Sequence, residues 1–272
     1  MGRELLRYGL TLRRFWGTAI AGQFEYQLNL LIELLAAVAN LVGSLFILSL
    51  FFAASADPAR SSSLGGWSWP QALVVQGVYT LLDGVATTWL RPNLGAIVTH
   101  VREGTLDFVL LKPIDSQFWL SLRTLSPAGL SELVLGLGLI VWALPRAGAS
   151  LSPAGLAVAL PVLLAGVVTL YALWFLLATT SIWFVKTWNA TEVLRAALTA
   201  GRFPVTAYPP VLRLVFTVVL PVAFLTTVPA QVLLGRAPGP LVAAALVVAA
   251  VSFGLSRAFW RFALGHYTSA SS

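Results

Sequence analysis

The chain of 272 residues is 58% hydrophobic and only 10% charged, and its mean hydropathy is +0.86. This composition is too apolar for a soluble domain and indicates an integral membrane protein. The absence of cysteine excludes disulfide frameworks, thiolate metal sites and a cysteine nucleophile. The net charge of +7 does not indicate nucleic-acid binding, because the cations lie singly at the ends of apolar runs, where they meet anionic headgroups.

Residues 1–26 are the first predicted element, an amphipathic helix in the headgroup layer of the membrane. Leu5, Leu12 and Trp16 lie among four arginines in this stretch, a pattern that is typical of an interfacial helix. Its role is to anchor the chain, or also to contact a cytoplasmic partner.

Six apolar runs follow, and each is long enough to cross the hydrocarbon, which requires about 20 mainly apolar residues in a helix. The predicted spans are residues 28–53, 70–90, 126–144, 155–185, 212–234 and 240–260. We therefore expect an all-α, polytopic membrane protein with six transmembrane helices in a single transmembrane domain.

The basic residues are sorted by these spans. With both termini on one side, that side carries fourteen of the seventeen lysines and arginines, and only Arg60, Arg146 and Arg236 lie opposite. The positive-inside rule assigns the basic side to the cytoplasm. Both termini and the segment 91–125 are therefore predicted to be cytoplasmic.

Two cytoplasmic segments are predicted to carry structure of their own. In the segment 91–125, Gly104 and Pro113 frame a short element that mixes leucines and Phe108 with charged residues. The segment 186–213 has apolar residues at helical spacing before a series of glycines and prolines. The alternative for each segment is a plain interfacial linker.

Three strings in this chain resemble a known family. They are FEYQLNLLIELL at the first span, REGTLDFVLLKPIDSQF after the second, and RFPVTAYPPVLR followed by LPVAFLTTVPAQVLLG around the fifth. They are similar to the membrane subunits of type-2 ABC exporters, in the branch of small six-span permeases without a fused ATPase. The resemblance implies a multi-pass protein of the plasma membrane, which is the inner membrane in a bacterium.

The resemblance also implies a cytoplasmic coupling helix between the second and third spans that docks on a separate ATP-hydrolysing subunit. We expect Leu106, Phe108 and Leu110 or Leu111 to face that subunit. Carried onto this chain, the coupling residues are Arg102, Glu103, Gly104, Leu106, Asp107, Phe108, Leu110, Leu111 and Lys112.

The chain has no GxxxxGK[ST] phosphate loop, and neither His100 nor His266 lies in a metal-ligand pattern such as HExxH. We therefore expect no enzyme activity and no cofactor bound by this chain, with ATP and Mg²⁺ held by the partner. The resemblance implies two copies of the ABC ATPase and a second permease chain, identical or similar. Membrane lipids are the remaining expected partner, and nucleic acid is not one.

Two permease chains are expected to meet through their first and fifth spans, with the substrate pathway between them. Small residues on the first span permit close helix approach; they are Ala36, Ala37, Ala39, Gly43 and Ser44. Ordinary packing within one subunit is the alternative. The expected pathway is aromatic and suits an amphipathic or lipid-like substrate; its residues are Phe46, Phe51, Phe52, Phe216 and Phe224. These rings could instead face lipid.

A break in the helix near Pro229 is expected to form the outer gate, with Thr226, Thr227 and Gln231 satisfying the freed backbone groups. A kinked helix without a gating role is the alternative. The resemblance separately implies a break before the sixth span, in the form of a short re-entrant or outer helix near Pro229 to Pro240.

Three acidic residues lie within predicted spans, where an ionised carboxylate needs a partner or water. They are Glu33, Asp83 and Glu132. Ion pairs of Asp83 with Arg91 and of Glu132 with Arg123 are one interpretation, and the lining of an inward-facing cavity is the other.

Two further classes of protein fit the sequence. A secondary transporter or channel would function without an ATPase, and a membrane scaffold would bind its partner without coupling to ATP hydrolysis.

Overall fold

The computed structural model describes residues 16–17, 27–54, 63–150, 152–184 and 194–268. Among these residues the regular structure is helical, apart from an isolated bridge between Leu64 and Trp67. In chain order the helices are α1 (Gln27–Ala54), α2 (Trp69–Val85), α3 (Arg91–Arg102), α4 (Leu106–Leu110), α5 (Ser116–Leu122), α6 (Leu130–Arg146), α7 (Pro153–Thr179), α8 (Pro210–Leu214), α9 (Val228–Leu233) and α10 (Gly239–Leu264). The predicted interfacial helix, except for Trp16 and Gly17, lies outside the described residues.

Within the described part of the chain, five helices are long and apolar enough to cross a membrane, which confirms an all-α polytopic membrane protein. They are Leu30–Ala53, Trp69–Arg102, Pro127–Arg146, Pro153–Ile182 and Gly239–Leu264. The sixth candidate consists of two helices, Pro210–Val219 and Ala223–Leu233, which are bent by 78° relative to each other.

Helices α2 and α6 pack antiparallel at very short range through paired glycines. A Cβ on Gly136 would lie 2.5 Å from the backbone nitrogen of Leu81, and one on Gly84 would lie 2.7 Å from that of Leu133. Small residues at these positions allow the two backbones to approach closely. We name the two ends of the bundle after residues that lie there: α2 begins at the Trp67 end, and α5 begins at the Asp115 end.

Helices α7 and α10 pack parallel to each other. The contacts advance together along both helices: Ala159 clusters with Ala245, the rings of Phe175 and Trp260 lie 5.4 Å apart, and Trp183 lies 6.1 Å from Phe262. Both helices therefore run from the Trp67 end to the Asp115 end, so the chain between them must return to the Trp67 end.

Residues 194–208 run toward the Trp67 end. Trp67 Nε1 donates to Thr206 Oγ1 at 2.9 Å, and Thr206 Oγ1 donates to the Gly65 carbonyl at 2.9 Å. The Phe203 ring packs edge-on against Phe51, near the end of α1, at 5.3 Å. Residues 194–206 are therefore the described part of a fifth passage through the bundle.

The two bent helices form a hairpin, residues 210–233, that dips into the bundle from the Trp67 end. One arm starts at this end, where Arg213 Nη2 donates to the Thr206 carbonyl at 2.7 Å. At the bend, the backbone carbonyls of Phe224 and Leu225 lie against Gly166 in the middle of α7. The second arm returns outward, and Val228 clusters with Ala159.

The hairpin differs from the predicted fifth span at 212–234, and residues 194–208 differ from the predicted cytoplasmic segment. The apolar length of 210–233 suggested a single straight crossing, but its two arms are bent by 78° relative to each other. As a consequence, Arg195 and Arg202 lie inside the bundle and Arg213 lies at the Trp67 end, so the charge asymmetry between the two ends is weaker than predicted.

Three π turns each precede a proline by two residues. The turns are Ala86–Leu90, Val215–Val219 and Ala223–Thr227, and the prolines are Pro92, Pro221 and Pro229. Proline lacks the N–H of the helical ladder and clashes with the preceding turn, and a π turn relieves both problems locally. The second span therefore continues through Pro92 to Arg102 instead of ending at residue 90, where Arg91 and Pro92 suggested a boundary.

Thiol labelling in this cysteine-free chain tests the hairpin. Val211→Cys, at a side chain that is 74% exposed, is expected to react with a membrane-impermeant maleimide from the same side as Ser63→Cys, which also lies at the Trp67 end. Glu103→Cys marks the opposite side. Labelling of Val211→Cys together with Glu103→Cys would return residue 211 to the predicted cytoplasmic segment.

Candidate coupling surface and membrane pathway

Helix α4 has one face in the bundle and one face outside it. Leu106 is 0% exposed and Val109 is 2% exposed, whereas Phe108 is 68% exposed and Leu111 is 80% exposed. Residues three apart share a face of a short helix, so the two pairs point in opposite directions. The first pair fixes α4 to the bundle, and the second pair is available to a partner.

The burial of Leu106 corrects the expectation that it faces the ATPase, because a side chain without exposed surface cannot contact another subunit. The other predicted coupling residues are at least partly exposed: Arg102, Glu103, Gly104, Asp107, Phe108, Leu110, Leu111 and Lys112. Together with Leu106 they span the end of α3, the turn at Gly104, the five-residue helix α4 and the two residues after it.

Gly104 makes the turn between α3 and α4 possible. Its φ is +68°, in the left-handed region where a side chain is strained. Beyond the turn, Asp107 contacts the Tyr267 hydroxyl and Lys112 Nζ lies 5.3 Å from the centre of the Trp119 ring. These contacts join α4 to α5 and to the residues after α10.

An ion pair that sequence reasoning missed connects α5 to α10. Asp115 accepts from the Phe118 backbone N–H at 2.9 Å as the N-cap of α5, and it pairs with Arg257 of α10 through two hydrogen bonds. The Arg257 guanidinium holds the pKa of Asp115 below its ordinary value. An aspartate directly before a short polar and apolar run, as in IDSQF, is a signal that could have indicated the cap, but a partner 142 residues away leaves no local signal.

The acidic residues within the spans have different surroundings. Asp83 pairs with Arg91, as one interpretation predicted. Glu132 does not pair with Arg123, which instead lies 4.6 Å over the Trp119 ring. Glu132 contacts the Thr87 side chain, and its Oε2 is buried without a hydrogen-bond partner among the described residues. Glu33 is partly buried on α1.

Arg195 and Arg202 were predicted to be cytoplasmic, but they lie inside the bundle beside Asp83 and Glu132. Arg202 Nη2 donates to Asn40 Oδ1 at 2.9 Å and its guanidinium lies 5.1 Å from the Tyr79 ring centre. Arg195 lines a cavity together with Asp83 and Tyr79. Arg195 and Arg202 are seven residues apart, and this helical spacing was the one sequence signal that they share a face.

We call Asp83, Arg91, Glu132, Arg195 and Arg202 the charged cluster. The cavities that these residues line are too small for a substrate. The one beside Arg195 has a volume of about 30 Å³ and the one beside Glu132 and Arg202 about 20 Å³. One water needs roughly 10 to 15 Å³, so each cavity has room for one or two waters. The acids therefore lie in a compact polar cluster rather than along a wide inward-facing cavity.

The helix breaks at Pro221, not at Pro229 as predicted. Leu220 has left the helical region (φ −114°, ψ 99°), as the residue before a proline tends to do, whereas Pro229 lies inside the helix that continues into α9. Thr226 Oγ1 lies 3.5 Å from the Val222 carbonyl near the break. Thr227 Oγ1 instead accepts from the Val205 N–H at 3.0 Å, and the Gln231 backbone carbonyl accepts from the Arg236 N–H at 2.9 Å.

The predicted pathway aromatics do not converge. Phe46 is 62% exposed on α1, Phe216 packs against Tyr208 at 5.2 Å, and Phe224 packs on the cluster around Ala159. Phe52 packs against Trp69 at 5.3 Å. A larger cavity, of about 200 Å³, does lie at the Trp67 end; its lining residues are Phe51, Leu64, Phe203, Ala207 and Tyr208.

Helix α1 contacts the rest of the chain through a narrow stripe. Ala37 and Ser44 are buried, and Ser44 Oγ donates to Gln76 Oε1 of α2 at 2.9 Å. Ala36, Ala39 and Gly43 are exposed. The small residues of the first span therefore divide between packing within the subunit and an open face.

Comparison with known proteins gives one result. The model of the ABC-2 family transporter proteins matches residues 38–271, which include all the helices from α2 to α10 and most of α1. No curated protein and no solved structure matches the chain. The match extends well beyond half of the chain, so the protein belongs to the ABC-2 family of transporter membrane proteins.

Proposed function

We propose that the chain is the permease subunit of an ATP-driven exporter, powered by a separate ABC ATPase. The observation that carries this proposal is the exposed apolar surface of Phe108, Leu110 and Leu111 on a helix whose opposite face is anchored in the bundle. Apolar side chains with a charged rim are typical of an interface with another protein. We call these three side chains the coupling surface.

Two ATPase subunits are proposed to sandwich the nucleotides, and each pushes on the coupling surface of one permease chain. ATP and Mg²⁺ are then bound by those subunits, since this chain lacks a phosphate loop. The Asp115 end is proposed to be cytoplasmic and to carry both termini, in the inner membrane of a bacterium. Among the described residues it retains Arg102, Lys112, Arg123, Arg257 and Arg261.

The substrate pathway is proposed to run between two permease chains, identical or similar. Two observations support it: the cavities in the charged cluster inside one chain have room only for water, and α1 leaves most of its apolar surface exposed. The aromatic cavity around Phe51 and Phe203 lies beside α1 at the Trp67 end, and its chemistry suits an amphipathic or lipid-like substrate. The hairpin, with its bend at Pro221, is the proposed outer gate.

Alanine substitutions test the coupling surface. Phe108→Ala and Leu111→Ala are each expected to weaken binding of the co-expressed ATPase by about 2 kcal/mol, or roughly thirtyfold, because truncating an apolar anchor has effects of this size. Co-purification with the ATPase and the ATPase activity of the complex are the measurements.

Phe262→Ala is the matched control, since Phe262 is 57% exposed at the same end but lies on α10. It should leave ATPase binding unchanged. Leu106→Ala is unsuitable because it damages the fold. Unaltered binding and activity in the Phe108→Ala, Leu111→Ala double variant would contradict the proposal, and transport by the purified chain without an ATPase would favour a secondary transporter.

A further inference from the structure

The Asp115 end of α10 is joined to α5 by polar contacts. Trp260 Nε1 donates to Ser116 Oγ at 3.0 Å, Arg257 Nη1 donates to Gln117 Oε1 at 3.2 Å, and Gln117 Nε2 lies 3.5 Å from Ser256 Oγ. The ion pair of Arg257 with Asp115 is the fourth contact. We call this set of side chains the latch; it consists of Asp115, Ser116, Gln117, Ser256, Arg257 and Trp260.

The ion pair between Asp115 and Arg257 fixes the distance and the orientation of α5 relative to α10. Both terminal nitrogens of Arg257 donate to the two carboxylate oxygens of Asp115, with Nη1 at 2.8 Å from Oδ1. Such forked pairs fix orientation as well as distance. Because Asp115 also caps α5 through the Phe118 N–H, α5 cannot tilt without displacing either its own cap or Arg257.

Apolar packing beside the latch is incomplete. A cavity of about 310 Å³ lies between α5, α7 and α10, next to the ion pair, and Phe118, Leu122 and Phe253 contribute to its walls. Across this cavity α5 is held to α7 by hydrogen bonds of Gln117 Nε2 and Ser121 Oγ with the Tyr171 hydroxyl, each at 2.9 Å, and to α10 by the latch. The polar contacts, rather than close packing, therefore determine whether a movement of α5 is passed to α10.

Packed side chains connect α10 and α7 to the hairpin. Trp260 is 1% exposed and packs edge-on against Phe175 of α7. At the far end of the same two helices, Ala159 and Ala245 pack with Val228 and Val232 of the hairpin. A displacement of α7 and α10 as one body therefore reaches the Trp67 end without passing through α1 or α2.

We propose that the latch transmits the ATP-driven movement of the coupling surface through α10 and α7 to the hairpin. Asp115 and Arg257 act as positioning residues: they touch neither nucleotide nor the ATPase, and they convert a push on α4 and α5 into a displacement of α10. This inference rests on the proposed function, because it requires an ATPase that pushes on the coupling surface.

Charge reversal tests the latch in the complex of the chain with its co-purified ATPase. The reporter is Val211→Cys in the hairpin, and the measurement is its maleimide labelling rate before and after trapping of the ATPase with ATP and vanadate. Asp115→Arg and Arg257→Asp, each alone, are expected to abolish the change in labelling rate while ATPase binding is retained. The exchange of both residues is expected to restore part of the change, because it re-forms the pair with its charges inverted but lacks the cap that Asp115 supplies to α5.

Arg261→Asp is the matched control, since Arg261 lies one turn further along α10 and is exposed; the trapping response should persist in it. Single reversals that respond like the parent protein would overturn the latch and leave the proposed function intact. The latch is equally overturned if the exchanged pair stays unresponsive, or if the parent itself shows no response at Val211→Cys. Failure of any ATPase to co-purify with the parent chain would overturn the proposed function, and the latch with it.

Discussion

Gly136→Ala is expected to destabilise the bundle more than any other single methyl addition in α6. The new Cβ would lie 2.5 Å from the Leu81 nitrogen, 2.8 Å from the Leu81 Cα and 2.9 Å from the Gly77 carbonyl oxygen. These are backbone atoms, so a rotamer change cannot relieve the contact and α2 must move away from α6. We expect the free energy of unfolding to fall by about 3 kcal/mol, the upper part of the usual range for overpacking.

Gly138→Ala is the control on the same helix, because a Cβ there would meet nothing within 4 Å. Alanine favours a helix over glycine by about 1 kcal/mol at most, so this variant should be neutral or slightly more stable. Thermal unfolding in detergent, followed by size-exclusion chromatography, compares the two variants. Equal melting temperatures would show that α2 and α6 are not packed as closely as the structure has them.

The ends of α6, α7 and α10 could be predicted from hydropathy to within a few residues, because each is an unbroken apolar run bounded by polar residues or prolines. The end of the second span could not be predicted in this way, because a charged residue followed by a proline, as at Arg91 and Pro92, usually marks the end of a helix. Arg91 is satisfied by Asp83 from the preceding turns, and the π turn at Ala86–Leu90 accommodates the proline. Both compensations are visible only in three dimensions.

The fifth passage was misplaced for a related reason. Hydropathy gives the length of an apolar run but does not show where the chain bends. The two arms of the hairpin were therefore predicted as one continuous span. The segment 194–208 contains Arg195 and Arg202 and was rejected as a crossing. Asn40 of α1 and Tyr79 of α2 contact Arg202 there, and such long-range partners leave no trace in the local sequence.

On α4 the sequence showed apolar residues on two faces but could not show which face is buried. Leu106 and Val109 share one face, and Phe108 and Leu111 share the other, so periodicity alone treats them as equivalent. Only the position of α3 and α5 decides that the first pair is covered. The burial of Leu106 therefore corrects its expected exposure, and the binding of an ATPase by Phe108, Leu110 and Leu111 stays a prediction.

The charged cluster and the latch place the polar groups of the bundle at two levels. Asp83, Arg91 and Arg202 lie around water-sized cavities among α1, α2 and α7, whereas Asp115 and Arg257 lie beside a cavity of about 310 Å³ at the Asp115 end. Side chains around a water-sized cavity have little room to move, whereas side chains beside a larger cavity can change position. We therefore expect substitutions in the cluster to affect stability and substitutions in the latch to affect coupling.

Arg91→Leu is the substitution in the cluster with the largest expected effect on stability. The Arg91 and Asp83 side chains are 26% and 18% exposed, so removal of the guanidinium leaves a carboxylate largely buried within a span. Losing one partner of such a pair typically costs about 3 kcal/mol or more. The exposed Arg102→Leu, with a side chain that is 64% exposed, should change stability by less than about 1 kcal/mol.

The double variant Asp83→Asn, Arg91→Leu separates the two possible causes of this loss. If the uncompensated charge is responsible, replacing the carboxylate with a neutral amide of similar shape should recover most of the lost stability, because both members of the pair are then uncharged. The melting temperatures of the two single variants, the double variant and the parent protein form a complete cycle. A double variant as unstable as Arg91→Leu would instead assign the loss to the packing of the Arg91 stem, and an Arg91→Leu protein as stable as the parent would show that the pair does not stabilise the bundle.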